Sequence, residues 1–539
     1  MKRNVSFKKC FTLIICLTFL FSSNLHAQET NISVLPQPKS IQPLHSFLVL
    51  KDGRIKVYLD KKASLNVGYI TSIFEESGLT PEYVKNEKKA TLVVKLEKKF
   101  PGTNEAYKLT VLPSVAADKV TITANSKEGL LYGIQTLRQL TVKNNGKIII
   151  SGCAVSDSPQ FPWRAFMLDE SRHFQGMQVV KGLLDEMARL KMNTFHWHLV
   201  DDPGWRIEIK KYPELTSVGS KRDYTTPNLT PQQWDSTYPN RKMYYTQDEI
   251  REVVKYAGDR GIKIIPEIEV PGHASASIAA YPWLGSSSRK DNKAVWGDLY
   301  NVTDPKVEAF IHNVLDEVIK LFPSKIIHIG GDEANYSHWQ NSEEVTSFMK
   351  EKNIPTYSDL QLYANNRLST YLASKGCRMI GWNEITGDNI RGEANVQASQ
   401  SEKLAPGTIV QFWDGEISLV NKAIIKGYDV VNSNRQFTYL DYSYDGISFE
   451  KAYSFNPIPE GVSSKDQSKI YGFGCQMWGE FTPNTDRLYY QTFPRIAALA
   501  ECGWTPYETK NYADFRERFK KIEEIWIEKG YLKTQLDKY

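Results

Sequence analysis

"KIIHIGGDEANYSHW", residues 325–339, holds the reading that decides the fold. A short apolar run predicts a strand, two glycines end it, and two adjacent acids, Asp332 and Glu333, follow. Neighbouring like charges raise one another's pKa, and desolvation adds to the cost. A surface loop carries such a pair cheaply. A catalytic site uses it, with one acid kept protonated and the other charged.

Outward from this stretch the pattern repeats. Eight apolar runs, each ending in polar or glycine-containing sequence, occur beyond residue 158: "RAFMLDESRHF", "NTFHWHLVDDPGW", "IKIIPEIEVPGH", "KIIHIGGDEAN", "RMIGWNEI", "TIVQFWDG", "DVVNSNRQFTYLD" and "YGFGCQMWGEF". Helical patterns separate most of them. In "TQDEIREVVKYAGDRG", Thr246 and Glu249 form a capping box, Ile250, Val253, Val254 and Ala257 form the apolar stripe, and Gly261 marks the stop. Alternating strand and helix predicts an α/β fold, a (β/α)8 TIM barrel over 159–539. An open doubly wound sheet would want a glycine-rich phosphate turn after an early strand, and none is present.

Residues 28–158 read differently. Strand-like runs such as "TLVVKLEK" and "KVTITAN" mix with helical ones, among them Leu130, Leu131, Ile134, Leu137 and Leu140 at helical spacing. This predicts a small α+β domain, joined to the barrel by the Ser/Pro-rich stretch 156–164. Before it, residues 1–27 carry Lys2, Arg3, Lys8 and Lys9, then an apolar run too short to span a membrane, then small residues to Ala27. That is the pattern of a secretory signal peptide, and it predicts export to a periplasmic or extracellular location. Without those four cations the net charge falls from +5 to +1. Such a balance gives no electrostatic drive toward nucleic acid or anionic lipid, and no second apolar run reaches membrane length. Cys153, Cys377, Cys475 and Cys502 show no metal-site spacing; export permits disulfides and leaves their formation open, while Cys377 and Cys475, beside apparent strands, make buried free thiols the default reading. Oligomeric state is left open.

In a barrel the loops after the strands' C-terminal ends share one mouth. That mouth would gather Arg172, Asp201, His273, Asp332, Glu333, Trp382, Trp413, Tyr439, Asp441, Trp478 and Glu480. Carboxylates accept hydrogen bonds from sugar hydroxyls, and aromatic faces cover the apolar faces of the ring. "HWH" at 196–198 has the His-x-His spacing of some metal-dependent barrel hydrolases, which keeps a metal reading in view. Asp202 and Trp205 read as structural. The C-terminal "ERFKKIEEIWIEKG" reads as a charged helix with a few apolar anchors.

The motifs "MLDESRHF", "HLVDDPGWRIEI", "PEIEVPGH", "HIGGDE", "GWNEI", "TYLD" and "MWGE", in this order, resemble those of the family 20 glycoside hydrolases, the β-N-acetylhexosaminidases. The resemblance covers nearly all of the chain after residue 27. It implies removal of terminal N-acetylhexosamines from oligosaccharides or glycoconjugates, without cofactor or metal, with the substrate's own acetamido oxygen as nucleophile. Carried over by position, Glu333 is the general acid and then base. Asp332 holds the acetamido N–H, and Tyr439 holds its carbonyl oxygen. Trp382, Trp413 and Trp478 wall the methyl group. Arg172, Asp441 and Glu480 bind hydroxyls, while Asp201 and His273 stand behind Glu333 and tune it. A sugar-binding protein without catalysis and a metal-dependent hydrolase are the alternative readings.

Overall fold

The computed structural model describes residues 32–114, 118–226, 229–286, 297–388 and 403–533. The leader reading at 1–27 lies outside them. Eight parallel strands close a barrel in sequence order: Trp163–Asp169, Thr194–His198, Lys263–Glu267, Ile326–His328, Arg378–Trp382, Ile409–Phe412, Asp429–Asn432 and Ile470–Met477. Nearly every residue on them is buried, as expected of parallel strands covered on both faces. Helices Met177–Arg189, Gln247–Asp259, Pro305–Leu321 and Tyr357–Ser374 follow the first four strands. In Gln247–Asp259 both halves of the Thr246/Glu249 capping box form, and Ile250, Val253 and Ala257 are buried. Gly261, at φ +73°, takes the left-handed turn that leads into the third strand. The floor of the barrel is apolar, with Trp163, Ala165, Ile265, Ile380, Ile409 and Val431 in one cluster.

The seventh run forms its strand over Asp429–Asn432 and leaves the sheet before its end. "TYLD" is a loop after the short helix Arg435–Thr438, tied to the last barrel strand by a single bridge, Tyr439 to Gln476. Phe437 packs from that short helix and Tyr439 and Leu440 from the loop, all against the barrel core, so tertiary burial outweighs the strand propensity of the aromatic residues.

The preceding domain is an eight-stranded mixed sheet carrying helices Val67–Glu76 and Lys127–Leu140. The leucine stripe of the second helix is buried against the sheet. Glu105 of this domain pairs with Arg164 at 2.8 Å and accepts from Asn193 at 3.0 Å, both at the N-terminal ends of barrel strands. Trp504 enters the same core, and its indole N–H donates to Asp157 at 3.1 Å. The domain therefore braces the barrel floor and leaves the mouth open. The C-terminal helix Tyr512–Glu528 sends Phe515, Phe519, Ile522 and Trp526 into the barrel core, and Arg518 forks onto Glu501. The four cysteines are buried and free. Among the described residues no helix is long and apolar enough to cross a membrane.

Candidate active site

Every barrel strand delivers a side chain to the mouth. Arg172 follows the first, Asp201 the second, His273 the third and Asp332–Glu333 the fourth. Trp382 ends the fifth, and Trp413 follows the sixth. Tyr439 and Asp441 hang from the loop after the seventh, and Trp478 and Glu480 follow the eighth. They bound a pocket of about 210 Å³ lined by Arg172, Asp332, Glu333, Trp413, Tyr439, Asp441, Trp478 and Glu480, with Tyr442 and Phe481 at its edge. Asp201, His273 and Trp382 lie behind this lining.

The acids are placed by an unusual backbone. Gly330 and Gly331 have φ of +63° and +93°, and Glu333 itself has φ +46°. A Cβ at Gly330 would overlap the Glu269 carboxyl. Only glycine takes that conformation beside that neighbour at no steric cost. Asp332 is buried, and its Oδ1 has no hydrogen-bond partner among the described residues. Glu333 is more open, its side chain 31% exposed.

Behind them sits a charge relay of fixed geometry. His273 presents Nδ1 to Asp201 at 3.2 Å and to Asp202 at 3.3 Å, and Nε2 lies 3.7 Å from Asp332 and 4.0 Å from Glu333. Burial alone would discharge this imidazole, but Asp201, the close contacts with Asp201 and Asp202, and the nearby Asp332 hold it protonated, well above the usual histidine range. Asp201 is buried, which would raise it, yet Arg172 and His273 keep it well below the ordinary carboxylate range. Asp202, read as structural, thus also touches His273. Arg172 spans Asp169 at 3.0 Å, Asp201 at 2.8 Å and Glu480 at 3.7 Å, with its guanidinium 5.1 Å from the Trp478 ring centre.

"HWH" forms no exposed ligand pair. Residues 196 and 198 share a strand face, and both meet one carboxylate: Glu267 lies 2.9 Å from His196 Nε2 and is hydrogen-bonded to His198 Nδ1. His328 Nδ1 and the Trp382 indole reach the other Glu267 oxygen, each at 2.9 Å. Burial would raise Glu267, but the imidazoles of His328, His198 and His196 hold it well below the usual range. His196, Glu267 and His328 are close enough together to hold a cation, as are His198, Glu267 and Glu269. Hydrogen bonds with His198 and from the Trp382 indole already occupy both Glu267 oxygens and oppose one.

The aromatic side is a box. Trp413 lies parallel to Tyr439 within 10° at 6.1 Å, Trp478 stands 6.1 Å from Tyr439, and Trp382 stands 5.8 Å from Trp478. Trp382 is fully buried, so it forms the back of the box. Burial pushes the Tyr439 phenol well above its ordinary value, so it stays a donor. Asp441 is pushed up to about 8 by burial and by Glu480.

Sequence reading passed over three acids here: the buried Glu267 and Glu269, and the half-buried Glu384. Burial first, and then Asp332, push both Glu269 and Glu384 well above the carboxylate range. The signal was present, since "PEIEV" and "GWNEI" each place acids at a strand's C-terminal end.

Residues 161–507 match the glycosyl hydrolase family 20 catalytic domain, and residues 31–158 match domain 2 of that family. The chain belongs to glycosyl hydrolase family 20. It is 33% identical over 554 aligned residues to a β-hexosaminidase of Porphyromonas gingivalis, covering 96% of this chain and 66% of that one, so it spans about two thirds of that relative's length. Among solved family 20 structures, the β-N-acetylhexosaminidase of Bacteroides fragilis superposes with a TM-score of 0.78 at 29% identity, covering 92% of this chain and 96% of the other. The exo-β-N-acetylglucosaminidase of Vibrio harveyi, solved with N-acetylglucosamine, superposes with a TM-score of 0.76 at 28% identity, covering 90% and 76%.

Proposed function

We propose that this family 20 protein is an exo-acting β-N-acetylhexosaminidase that retains anomeric configuration through its substrate's acetamido group. The observation that carries the reading is Asp332 Oδ1, a buried acceptor without a hydrogen-bond partner among the described residues, adjacent to Glu333 and inside an aromatic box. A buried acceptor left unpaired costs about 1–3 kcal/mol, and a substrate amide N–H would satisfy it. The pocket volume of about 210 Å³ is below the roughly 300–1,000 Å³ of pockets for drug-sized ligands. It suits one terminal sugar ring, which supports exo action.

The chemistry then runs in two steps. The acetamido carbonyl oxygen attacks the anomeric carbon while the glycosidic bond breaks, and Glu333 gives its proton to the departing oxygen. Tyr439 donates to the attacking oxygen and Asp332 accepts the N–H. The cyclised oxazolinium carries positive charge beside the Asp332 carboxylate. Water then attacks the anomeric carbon, Glu333 takes its proton, and the ring reopens. Arg172, Asp441 and Glu480 hold the hydroxyls, and His273 links Asp201 to both acids. We take the protein to act after export, on the leader pattern of residues 1–27, upon glycans ending in N-acetylglucosamine or N-acetylgalactosamine.

The test compares chromogenic aryl β-glycosides with and without the N-acetyl group, and adds a thiazoline mimic of the cyclised species. Cleavage confined to the N-acetyl compound, with inhibition by the thiazoline, is expected. Equal cleavage of the plain glucoside overturns the mechanism. No release from either substrate indicates a sugar-binding protein, and activity lost to a chelator and restored by zinc indicates the metal-dependent reading.

A further inference from the structure

The turn after the fifth barrel strand, Asn383–Thr386, touches two walls of the pocket at once. Asn383 Oδ1 accepts the Trp413 main-chain N–H at 3.0 Å, and its Nδ2 donates to the Asp414 carbonyl at 3.3 Å. Glu384 receives the Trp413 indole N–H across both carboxyl oxygens, at 3.0 and 3.2 Å. Ile385 Cγ2 fills the space that side chains at Gly331 and Gly381 would need, 2.6 and 2.7 Å from a Cβ at either position. Three consecutive residues thus register the Trp413 main chain, its indole ring and the turn that bears both acids.

We propose that Glu384 is a positioning residue: by gripping the indole N–H it fixes the tilt of Trp413, and so sets the size of N-acyl group that the aromatic box admits. The inference rests on the acetamido reading above. Trp413 has one polar handle, and Glu384 holds it from two sides. A ring so held keeps its parallel stacking on Tyr439, 10° and 6.1 Å away, and the gap around the acyl methyl keeps its width. Released, the ring would be free to rock about its side-chain torsions, and the wall would yield to a longer acyl chain.

The alternative, a carboxyl placed there for stability, fits poorly. Glu384 is half-buried with Asp332 and Glu333 as nearby like charges, and desolvation with Asp332 pushes it well above the usual range. An apolar residue would avoid that cost. The acid contributes a hold on Trp413 that an apolar side chain does not. A neutral carboxyl retains an acceptor oxygen for the indole, and glutamine matches it in shape and in that acceptor.

The experiment measures kcat/KM for aryl β-glucosaminides bearing N-acetyl, N-propanoyl and N-butanoyl groups, on wild type, Glu384→Gln and Glu384→Leu, with melting temperatures alongside. One methylene in an apolar pocket is worth roughly 10–200-fold, and wild type should discriminate on that scale. Glu384→Leu should lose most of this discrimination, narrowing the acetyl-to-butanoyl ratio by about ten-fold or more, while Glu384→Gln keeps the wild-type ratio. A folded Glu384→Leu with the wild-type ratio overturns the proposal, as does an equal loss on all three substrates. Should Glu384→Leu not fold, Trp413→Phe removes the indole N–H and leaves the acid; the same narrowing is expected, and an unchanged ratio overturns the proposal. The two readings fail differently. Wild type indifferent to the N-acyl group sinks the acetamido reading, whereas a discriminating wild type with a discriminating Glu384→Leu sinks only the role of Glu384.

Discussion

Asp332→Asn removes one charge from the pocket and keeps the side chain's shape. Two terms in the transition state depend on that charge. The N–H bond to Asp332 Oδ1, which has no hydrogen-bond partner among the described residues, changes from charge-assisted to neutral, a difference of about 1 kcal/mol. The attraction between the carboxylate and the forming oxazolinium is also lost. At about 4 Å and an effective dielectric near 20 it is worth about 4 kcal/mol. Together, about 5 kcal/mol corresponds to a loss of roughly 10³–10⁴-fold in kcat/KM. Folding should not suffer, because Asp332 raises the pKa of both Glu269 and Glu384 and its removal relieves them. The assay is initial-rate kinetics on a chromogenic N-acetyl-β-glucosaminide, with a melting curve beside it. A well-folded Asp332→Asn within ten-fold of wild type (about 1.4 kcal/mol) would refute the reasoning.

Other substitutions probe the remaining parts. Glu333→Gln should lower kcat by roughly 10²–10⁴-fold, the weight of a positioned proton donor, and an aryl leaving group that needs no protonation should recover much of the first step. Gly330→Ala puts a side chain onto Glu269 at φ +63°; it should cost about 1–3 kcal/mol of stability, read by denaturant unfolding, and lower activity with it. His198 supplies a pH test. Burial would lower this imidazole, but Glu267, with hydrogen bonds to Asp201 and Glu267, carries it from 6.5 up to about 10. A folded-state value above the unfolded one stabilises fully below 6.5 and is lost as pH rises through about 10. The wild-type melting temperature should therefore fall across that window, and His198→Gln should start lower and fall less.

The barrel and most of its mouth were legible because parallel strands must be apolar along their whole length and must end at one rim. "KIIHIGGDE" announces both facts within nine residues. What escaped was decided by neighbours distant in sequence. Nothing local to Glu384 shows that its partner is Trp413, and nothing local to Glu267 shows that His196, His198 and His328 converge on it. The period of two in "HWH" placed both rings on one face correctly, but it could not distinguish a metal from a carboxylate as what they face. The "TYLD" end of the seventh run lies outside its strand because the short helix before it and the packing of Tyr439 between Trp413 and Trp478 fix it as a loop.

The most direct measurement of substrate assistance is a series of aryl β-glucosaminides whose N-acetyl methyl carries none, one, two and three fluorines. Each fluorine weakens the carbonyl oxygen as a nucleophile while scarcely changing its size. If that oxygen attacks the anomeric carbon, kcat/KM must drop steeply and steadily along the series. A flat response would mean that some other group forms the bond, and the assignment of Asp332, Tyr439 and the aromatic box would fall with it.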